Sequence, residues 1–281
     1  MRKIAVVPTL LTLGNGICGF AAIAIASKII PSEPADKNDF FFAISGWLII
    51  AAMVFDMLDG YVARLSKTAS KFGGELDSLC DAISFGVAPA FILLKLGPGW
   101  EPQKLLHQIL AGIAALYMVC TILRLARFNV DNTPDPAGHK RFRGLPSPGA
   151  AGCIAALAVF RGEFPAKLAE YWGRFDLEAS RALVQQAVEV IAPLGAFMVA
   201  LLMVSVLPYP HVTKQWLRGR RHVWHLIHVL LIVFIVVLVR ELALALVFWG
   251  YALGIPLRYL FHKHVLKEST LPPRLEDGLQ R

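Results

Sequence analysis

Four aspartates are spaced for metal or acid–base chemistry inside a strongly apolar part of the chain. They lie in the segment DMLDGYVARLSKTASKFGGELDSLCD, residues 56–81, between the apolar runs AISGWLIIAAMVF and AISFGVAPAFILL. An aspartate within a bilayer costs roughly 2.5 to 3.5 kcal/mol on insertion scales, so four unpaired ones would cost about 10 kcal/mol or more. Such residues need either neutralising partners or a function that retains them.

Helical geometry predicts that these four carboxylates converge. Five residues share an arc of about 140° on the first helix: Asp56, Asp59, Gly60, Ala63 and Arg64. On the next helix, Asp77, Asp81 and Ser84 lie on one face. The eight residues between Arg64 and Gly73 allow a short return. We therefore expect two antiparallel neighbouring helices whose acidic faces meet.

The converging carboxylates predict a site for divalent cations. An all-oxygen site suits hard ions such as Mg²⁺ or Mn²⁺, and Arg64 alone cannot neutralise four negative charges. The small residues beside the aspartates would let a bulky ligand approach the backbone, and a bound diphosphate would supply further oxygens. The alternatives are structural ion pairs or aspartates along a water-filled path. The interleaved glycines and arginine favour the metal site over both.

Composition indicates that this pair of helices belongs to a membrane protein. The 281 residues are 56% hydrophobic, with a mean hydropathy of +0.58. Runs of about 20 apolar residues are long enough to cross the hydrocarbon core. Eight such runs predict an all-α integral membrane protein: 9–29, 41–63, 73–96, 107–126, 146–160, 187–207, 223–239 and 242–260. The charge-alternating segment 161–185 predicts an extracytoplasmic amphipathic loop, and Trp249 fits an aromatic belt at headgroup level.

The distribution of lysine and arginine predicts the orientation. If both termini lie on one side, that side carries 19 of the 28 basic residues. The positive-inside rule then assigns the termini, the 64–72 turn and the 127–145 loop to the cytoplasm of a multi-pass protein in the cell (inner) membrane. The net charge of +8 would attract anionic headgroups and phosphates. No nucleic-acid partner is expected, because no basic domain lies outside the apolar runs.

The aspartate segment resembles the motif of a known enzyme family. The pattern D-x-x-D-G-x-x-A-R, then eight residues, then G-x-x-x-D-x-x-x-D is typical of the CDP-alcohol phosphotransferases, integral membrane enzymes of phospholipid synthesis. Every fixed position is matched here: Asp56, Asp59, Gly60, Ala63, Arg64, Gly73, Asp77 and Asp81. At this fixed spacing and in an apolar context, the match is far more specific than D-x-x-D alone.

The resemblance implies a role for each residue of the motif. Two divalent ions, Mg²⁺ or Mn²⁺, would hold the diphosphate of a CDP-linked lipid between four ligands: Asp56, Asp59, Asp77 and Asp81. Asp81 would also be the general base that takes the proton from the incoming alcohol. Contacts with the CDP-lipid would come from a further set: Gly60, Ala63, Arg64, Ser70 and Gly73, together with Thr12 and Asn15 of the first span.

Further segments are similar to the phosphatidylserine synthase branch of that family. They are VPTLLTLGNGICGF, SFGVAPA, RLARFNV (124–130) and FRGLPSPGAAG (142–152), and the resemblance covers about residues 4–160. HVTK at 211–214 departs from the pattern of this branch. The resemblance to this branch implies that the substrates are CDP-diacylglycerol and L-serine. It also implies that the protein forms a homodimer. The resemblance implies a six-helix core over 1–210. The last two apolar runs exceed that core and, with only Arg240 and Glu241 between them, predict an additional transmembrane hairpin over 211–265, followed by a cytoplasmic tail over 266–281.

The acceptor site is less constrained by the sequence. Arg124, Arg127 and Asn129 could bind an acceptor carboxylate or a lipid phosphate, or the arginines could be positive-inside anchors. The same chemistry with glycerol-3-phosphate or inositol phosphate as acceptor stays open. A divalent-cation transporter is the alternative of a different class, but the spans outside the second and third carry almost no acidic residues.

Overall fold

The computed structural model describes residues 6–30, 34–66, 70–97, 104–131, 144–172, 176–205, 207 and 240–265. Every regular element within these ranges is a helix. They are α1 (Val6–Ala26), α2 (Ala35–Leu65), α3 (Lys71–Asp81), a π-helical turn (Ala82–Val87), α4 (Ala88–Leu96), α5 (Lys104–Asp131), α6 (Ser147–Trp172), α7 (Leu177–Val204) and α8 (Arg240–Val265).

The predicted fold class is confirmed: the chain is an all-α integral membrane protein. Six helical segments in the described ranges are long and apolar enough to cross a membrane, including the continuous rod formed by α3, the π-helical turn and α4. The predicted run 223–239 lies outside the described residues, so only α8 of the predicted C-terminal hairpin is described, and the hairpin stays a prediction. The domain boundaries at 210 and 265 stay predictions.

The predicted loop over 161–185 was wrong. Helix α6 continues to Trp172, and α7 begins only five residues later at Leu177. The charged side chains that suggested a loop form ion pairs between helices. Arg161 and Lys167 each pair with an acidic side chain of another helix, at 2.6 and 2.8 Å. Because these partners come from distant parts of the chain, the local alternation of charge did not reveal them.

Helix α6 forms the centre of the bundle. All ten residues from 150 to 159 are buried, in the sequence AAGCIAALAV. It packs against α2, α7 and α8. Alanine, glycine and cysteine side chains are small enough for helix backbones to approach closely, which is the usual basis of helix association in membranes.

One end of the bundle is held by a buried ion triad. Asp39, in the first turns of α2, accepts from Arg161 Nη1 of α6 at 2.6 Å and from Arg181 Nε of α7 at 2.7 Å. The Arg161 guanidinium also lies 5.6 Å from the ring centroid of Phe42. Three helices are thus joined through one carboxylate.

Helix α1 packs on the π-helical turn through a glycine. A Cβ atom on Gly19 would lie 2.6 Å from Cα of Ser84 and 2.9 Å from its Cβ. Real Cβ atoms do not approach so closely, and the obstacle is partly backbone, so it cannot rotate away. Only glycine therefore allows α1 this close contact.

We expect Gly19→Ala to lower the unfolding midpoint of the detergent-solubilised protein by several degrees. Overpacking of this kind costs about 1–3 kcal/mol. Gly112→Ala in α5 is the matched control, because a Cβ atom there meets nothing within 4 Å. The control should be neutral or slightly stabilising, since alanine favours the helix. An equal midpoint for both variants would contradict the close α1 contact.

Candidate active site

Three of the four aspartates form a compact carboxylate cluster. Asp56 and Asp59 come from the last turns of α2 and Asp77 from the middle of α3, as the short return between these helices requires. One carboxylate oxygen from each lies within 4.8 Å of the other two. Three negative charges at this spacing repel one another strongly at low dielectric. A positive counter-charge would relieve this repulsion and keep the three carboxylates ionised.

The cluster has the unsatisfied oxygens expected of a cation site. Asp59 Oδ2 and Asp77 Oδ1 are buried and have no hydrogen-bond partner among the residues that the structure describes. A buried polar atom without a partner is costly, and a bound cation would remove that cost. The donor set is made only of oxygen, which suits a hard divalent ion. The residues present thus fit such an ion.

Asp81 lies beside the cluster and is held by α1. It is buried, and its Oδ1 accepts a hydrogen bond of 2.8 Å from Asn15 Nδ2. The Ser84 hydroxyl donates to the backbone carbonyl of Asn15 at 2.8 Å. Asp81 is close enough to Asp56 and Asp77 to interact with both electrostatically. All four predicted carboxylates therefore belong to one neighbourhood, with Asp81 oriented separately from the other three.

The helix changes its winding directly after Asp81. Residues Ala82–Val87 form a π-helical turn, a geometry that is frequent at functional sites. The fully buried Tyr117 of α5 donates its hydroxyl to the Phe85 carbonyl at 3.0 Å. This contact satisfies a carbonyl within the turn and ties α5 to the segment that carries Asp81.

Four of the predicted CDP-contacting residues lie near the end of α2 or at the start of α3: Gly60, Arg64, Ser70 and Gly73. Ser70 caps α3 by accepting from Gly73 N at 3.0 Å. Arg64 is exposed and lies over Gly60, where a Cβ atom would be 3.5 Å from Arg64 Nη1. Gly74 opens onto free space. The residues at these two helix ends, called the rim below, are thus exposed or half-buried.

Two further predicted residues are half-buried or buried beside this rim. Ala63 is half-buried on α2, and Thr12 is buried on α1 next to Asp59. The Thr12 hydroxyl donates to the Pro8 carbonyl at 3.0 Å. Helix α1 thus contacts two of the aspartates: Thr12 lies next to Asp59, and Asn15 donates to Asp81.

The three predicted acceptor residues are not equivalent. Arg124 is half-buried, interacts electrostatically with Asp56 and Asp81, and has a buried Nε without a hydrogen-bond partner in the described ranges. Its Nη1 donates to Ser147 Oγ at 2.8 Å. Arg127 is exposed, and so is Asn129, whose amide donates to Ser78 Oγ of α3 at 2.9 Å. Of these three residues, only Arg124 places a half-buried cation within electrostatic range of the carboxylates.

Comparison with known proteins agrees with this geometry. Residues 5–217 match the family model described as CDP-alcohol phosphatidyltransferase. The chain belongs to this family. The matched residues contain α1 to α7 and the whole aspartate motif, so the resemblance noted from the motif is confirmed.

Several curated members of the family align with this chain. A Helicobacter pylori protein is 35% identical over 159 residues, covering 56% of this chain and 59% of its own length. A Methanocaldococcus jannaschii protein is 38% identical over 151 residues (54% and 59%), and a Saccharomyces cerevisiae protein 35% over 156 residues (53% and 51%). All three are named CDP-diacylglycerol–serine O-phosphatidyltransferase. The chain thus matches between about half and three fifths of these relatives' length.

Some contacts of the site were not anticipated from the sequence. Ser84 shares a helical face with Asp77 and Asp81, which was a usable signal, but its bond to the Asn15 carbonyl depends on how α1 docks. Ser147 and Tyr117 carried no signal of their own. Their partners lie 23 and 32 residues away along the chain.

Proposed function

We propose that the protein transfers the phosphatidyl group of CDP-diacylglycerol to L-serine, producing phosphatidylserine and CMP. The observation that carries the proposal is the carboxylate cluster from α2 and α3, with Asp81 held beside it by Asn15. The relatives named as serine phosphatidyltransferases support the choice of acceptor. The alternative acceptors have no comparable support in these relatives' names.

Two divalent ions, Mg²⁺ or Mn²⁺, would be held by Asp56, Asp59, Asp77 and Asp81. When bound, they would neutralise charge on the diphosphate and stabilise the negative charge on the attacking serine oxygen and on the leaving oxygen of CMP. The unsatisfied buried oxygens of Asp59 and Asp77 support this assignment.

Asp81 is the proposed general base. Its Oδ1 is occupied by Asn15, so the other carboxylate oxygen would accept the proton of the serine hydroxyl. The serine oxygen then forms a bond to the lipid-proximal phosphorus. The bond between that phosphorus and the bridging oxygen breaks, and CMP leaves with the electron pair.

The remaining residues would bind and orient the two substrates. Arg64, at the open rim, would donate charge-assisted hydrogen bonds to phosphate. Backbone near Gly60 and Gly73 would approach the CDP moiety, with Ala63, Ser70 and Thr12 beside it. Arg124 would receive the acceptor carboxylate at its buried edge, and the exposed Arg127 and Asn129 would line the entry.

The proposed setting is the cell (inner) membrane. The excess of lysine and arginine on one side supports an active site and termini that face the cytoplasm. CMP would leave there, and phosphatidylserine would enter the adjoining leaflet. A homodimer is proposed from the family resemblance alone.

The proposal is tested with purified protein in detergent or mixed micelles containing CDP-diacylglycerol. CMP release should require both L-serine and a divalent ion, and EDTA should abolish it. The acceptor panel adds glycerol-3-phosphate, inositol phosphate and no acceptor. Turnover with a phosphorylated acceptor instead of serine would reassign the substrate, and turnover that survives EDTA would contradict the metal site. Divalent-ion flux in vesicles without nucleotide would support the transporter alternative.

Asn15→Ala should lower kcat for serine transfer by about tenfold to a hundredfold, because a hydrogen bond to a charged group is worth about 1.5–3 kcal/mol. The measurement is initial CMP release at saturating substrates. Ser27→Ala is the control, directly after the end of α1, since the exposed Ser27 hydroxyl donates to the Ala24 carbonyl three residues earlier. If Asn15→Ala kept the wild-type kcat, the proposed orientation of Asp81 by α1 would be wrong.

A further inference from the structure

The π-helical turn joins two helical segments that face different surroundings. Before the turn, Cys80 and Asp81 are the buried residues of α3. After it, six of the nine residues of α4 are buried, and α4 packs against α1, α5, α6 and α7. The turn therefore sets how the segment that carries Asp81 is rotated relative to a segment that is fixed inside the bundle.

The winding of the turn changes this rotation by about one residue. The Ala88 N–H donates to the Ile83 carbonyl, five residues earlier, whereas an α-helix bonds residues that are four apart. One residue corresponds to about 100° of rotation, because an α-helix has 3.6 residues per turn. If the turn rewound into an α-helix, either Asp81 would leave its present direction or buried residues of α4 would leave the core.

Two other helices hold the turn through hydrogen bonds. The fully buried Ser84 donates from its side chain to the Asn15 carbonyl of α1 at 2.8 Å. The fully buried Tyr117 of α5 donates its hydroxyl to the Phe85 carbonyl at 3.0 Å. Only the second of these bonds satisfies a backbone group of the turn itself. Since a buried carbonyl without a partner is costly, the Tyr117 hydroxyl stabilises the backbone in this winding.

The direction of the Asp81 carboxylate depends on this backbone. Asp81 directly precedes the turn and lies four residues before Phe85. Asn15 Nδ2 holds one of its oxygens at 2.8 Å, so the direction of the other oxygen follows from where the backbone places the short side chain. Helix α1 thus fixes one end of the side chain, and the turn fixes the other.

We propose that Tyr117 is a positioning residue for Asp81. By holding the Phe85 carbonyl, it maintains the π-helical winding that directs the second carboxylate oxygen toward the hydroxyl of the acceptor. The inference rests on the proposed function, because it presupposes that Asp81 is the general base. The phenol acts through the backbone of the turn and not on the reacting atoms.

The test compares Tyr117→Phe with the wild-type protein in the CMP-release assay, well below both unfolding midpoints. Loss of the hydroxyl should lower kcat by about fivefold to tenfold, as for one neutral hydrogen bond whose acceptor stays buried. KM for L-serine and for CDP-diacylglycerol should stay within about twofold. Ser45→Ala is the control: it removes another buried hydroxyl, which donates to the Phe42 carbonyl within α2, and should keep the wild-type kcat.

A double-mutant cycle with Asp81→Asn shows whether the effect passes through Asp81. If Tyr117 acts by directing this base, its hydroxyl has nothing left to direct once the base is removed. Adding Tyr117→Phe to Asp81→Asn should therefore change the residual rate by less than about twofold. A hydroxyl that only stabilised the bundle would reduce the rate by the same factor in both backgrounds.

Three results would overturn the inference. One is a wild-type kcat in Tyr117→Phe. Another is an equal fold loss in the wild-type and Asp81→Asn backgrounds. Both of these leave serine transfer intact and reject only the role of Tyr117. The third is a wild-type protein that releases no CMP in response to serine, which would reject the proposed function as well.

Discussion

Asp81→Asn is expected to reduce serine-dependent CMP release by about 10³-fold or more. The substitution keeps the shape of the side chain, and asparagine can still accept from Asn15 Nδ2 through its carbonyl oxygen. It removes the negative charge and with it the capacity to take a proton. A positioned general base contributes typically 10²–10⁴-fold, and loss of a carboxylate near the cation site adds to this.

The measurement is initial-rate CMP release at saturating CDP-diacylglycerol, L-serine and Mg²⁺ or Mn²⁺. The unfolding midpoint, measured in parallel, separates a chemical defect from a folding defect. Asp36→Asn is the matched control, because it makes the same isosteric change at an exposed carboxylate in the first turn of α2. Wild-type turnover by Asp81→Asn would remove the proposed base from the mechanism.

Asp39→Asn should cause the largest loss of stability among these substitutions. It leaves Arg161 and Arg181 buried or half-buried without the carboxylate that both of them bond. Removing one partner of a buried ion pair costs about 3–5 kcal/mol, because the remaining charge is uncompensated. The unfolding midpoint of the detergent-solubilised protein should fall by ten degrees or so for a chain of this size.

The same variant separates stability from chemistry. Asp39 lies 17 residues before Asp56 on α2, which corresponds to about 26 Å along the helix. At a temperature well below its midpoint, Asp39→Asn should therefore keep the KM of the wild type for both substrates. Arg181→Gln in the Asp39→Asn background should recover part of the lost midpoint, because it removes one uncompensated charge. An unchanged midpoint in Asp39→Asn would show that the triad contributes nothing to stability.

The membrane-spanning helices were predictable because their signal is local. About 20 consecutive apolar residues suffice to cross a bilayer, and no knowledge of neighbours is needed. The prediction failed where neighbours decide the outcome. The segment after residue 160 carries too many charges to count as a run of apolar residues. It is nevertheless helical, because Arg161 and Lys167 form ion pairs with acidic side chains of α2 and α8.

The carboxylate cluster was also largely predictable. Helical periodicity places Asp56 near Asp59 and Asp77 near Asp81, and the short return between α2 and α3 brings the two pairs together. The structure groups Asp56, Asp59 and Asp77 closely and holds Asp81 through a separate contact. Which of the four stands apart could not be inferred from spacing, since it depends on a side chain of α1.

The sequence by itself determined the membrane class, the family and the acidic faces of α2 and α3, because each follows from residue type and spacing along one helix or one hairpin. Only the tertiary structure decided the partners that orient these groups: Asn15 for Asp81, Tyr117 for the π-helical turn, and Ser147 for Arg124. These contacts depend on the rotation and depth at which helices dock. That docking is set by close approach at glycines such as Gly19 and Gly152, where the chain shows only the absence of a side chain.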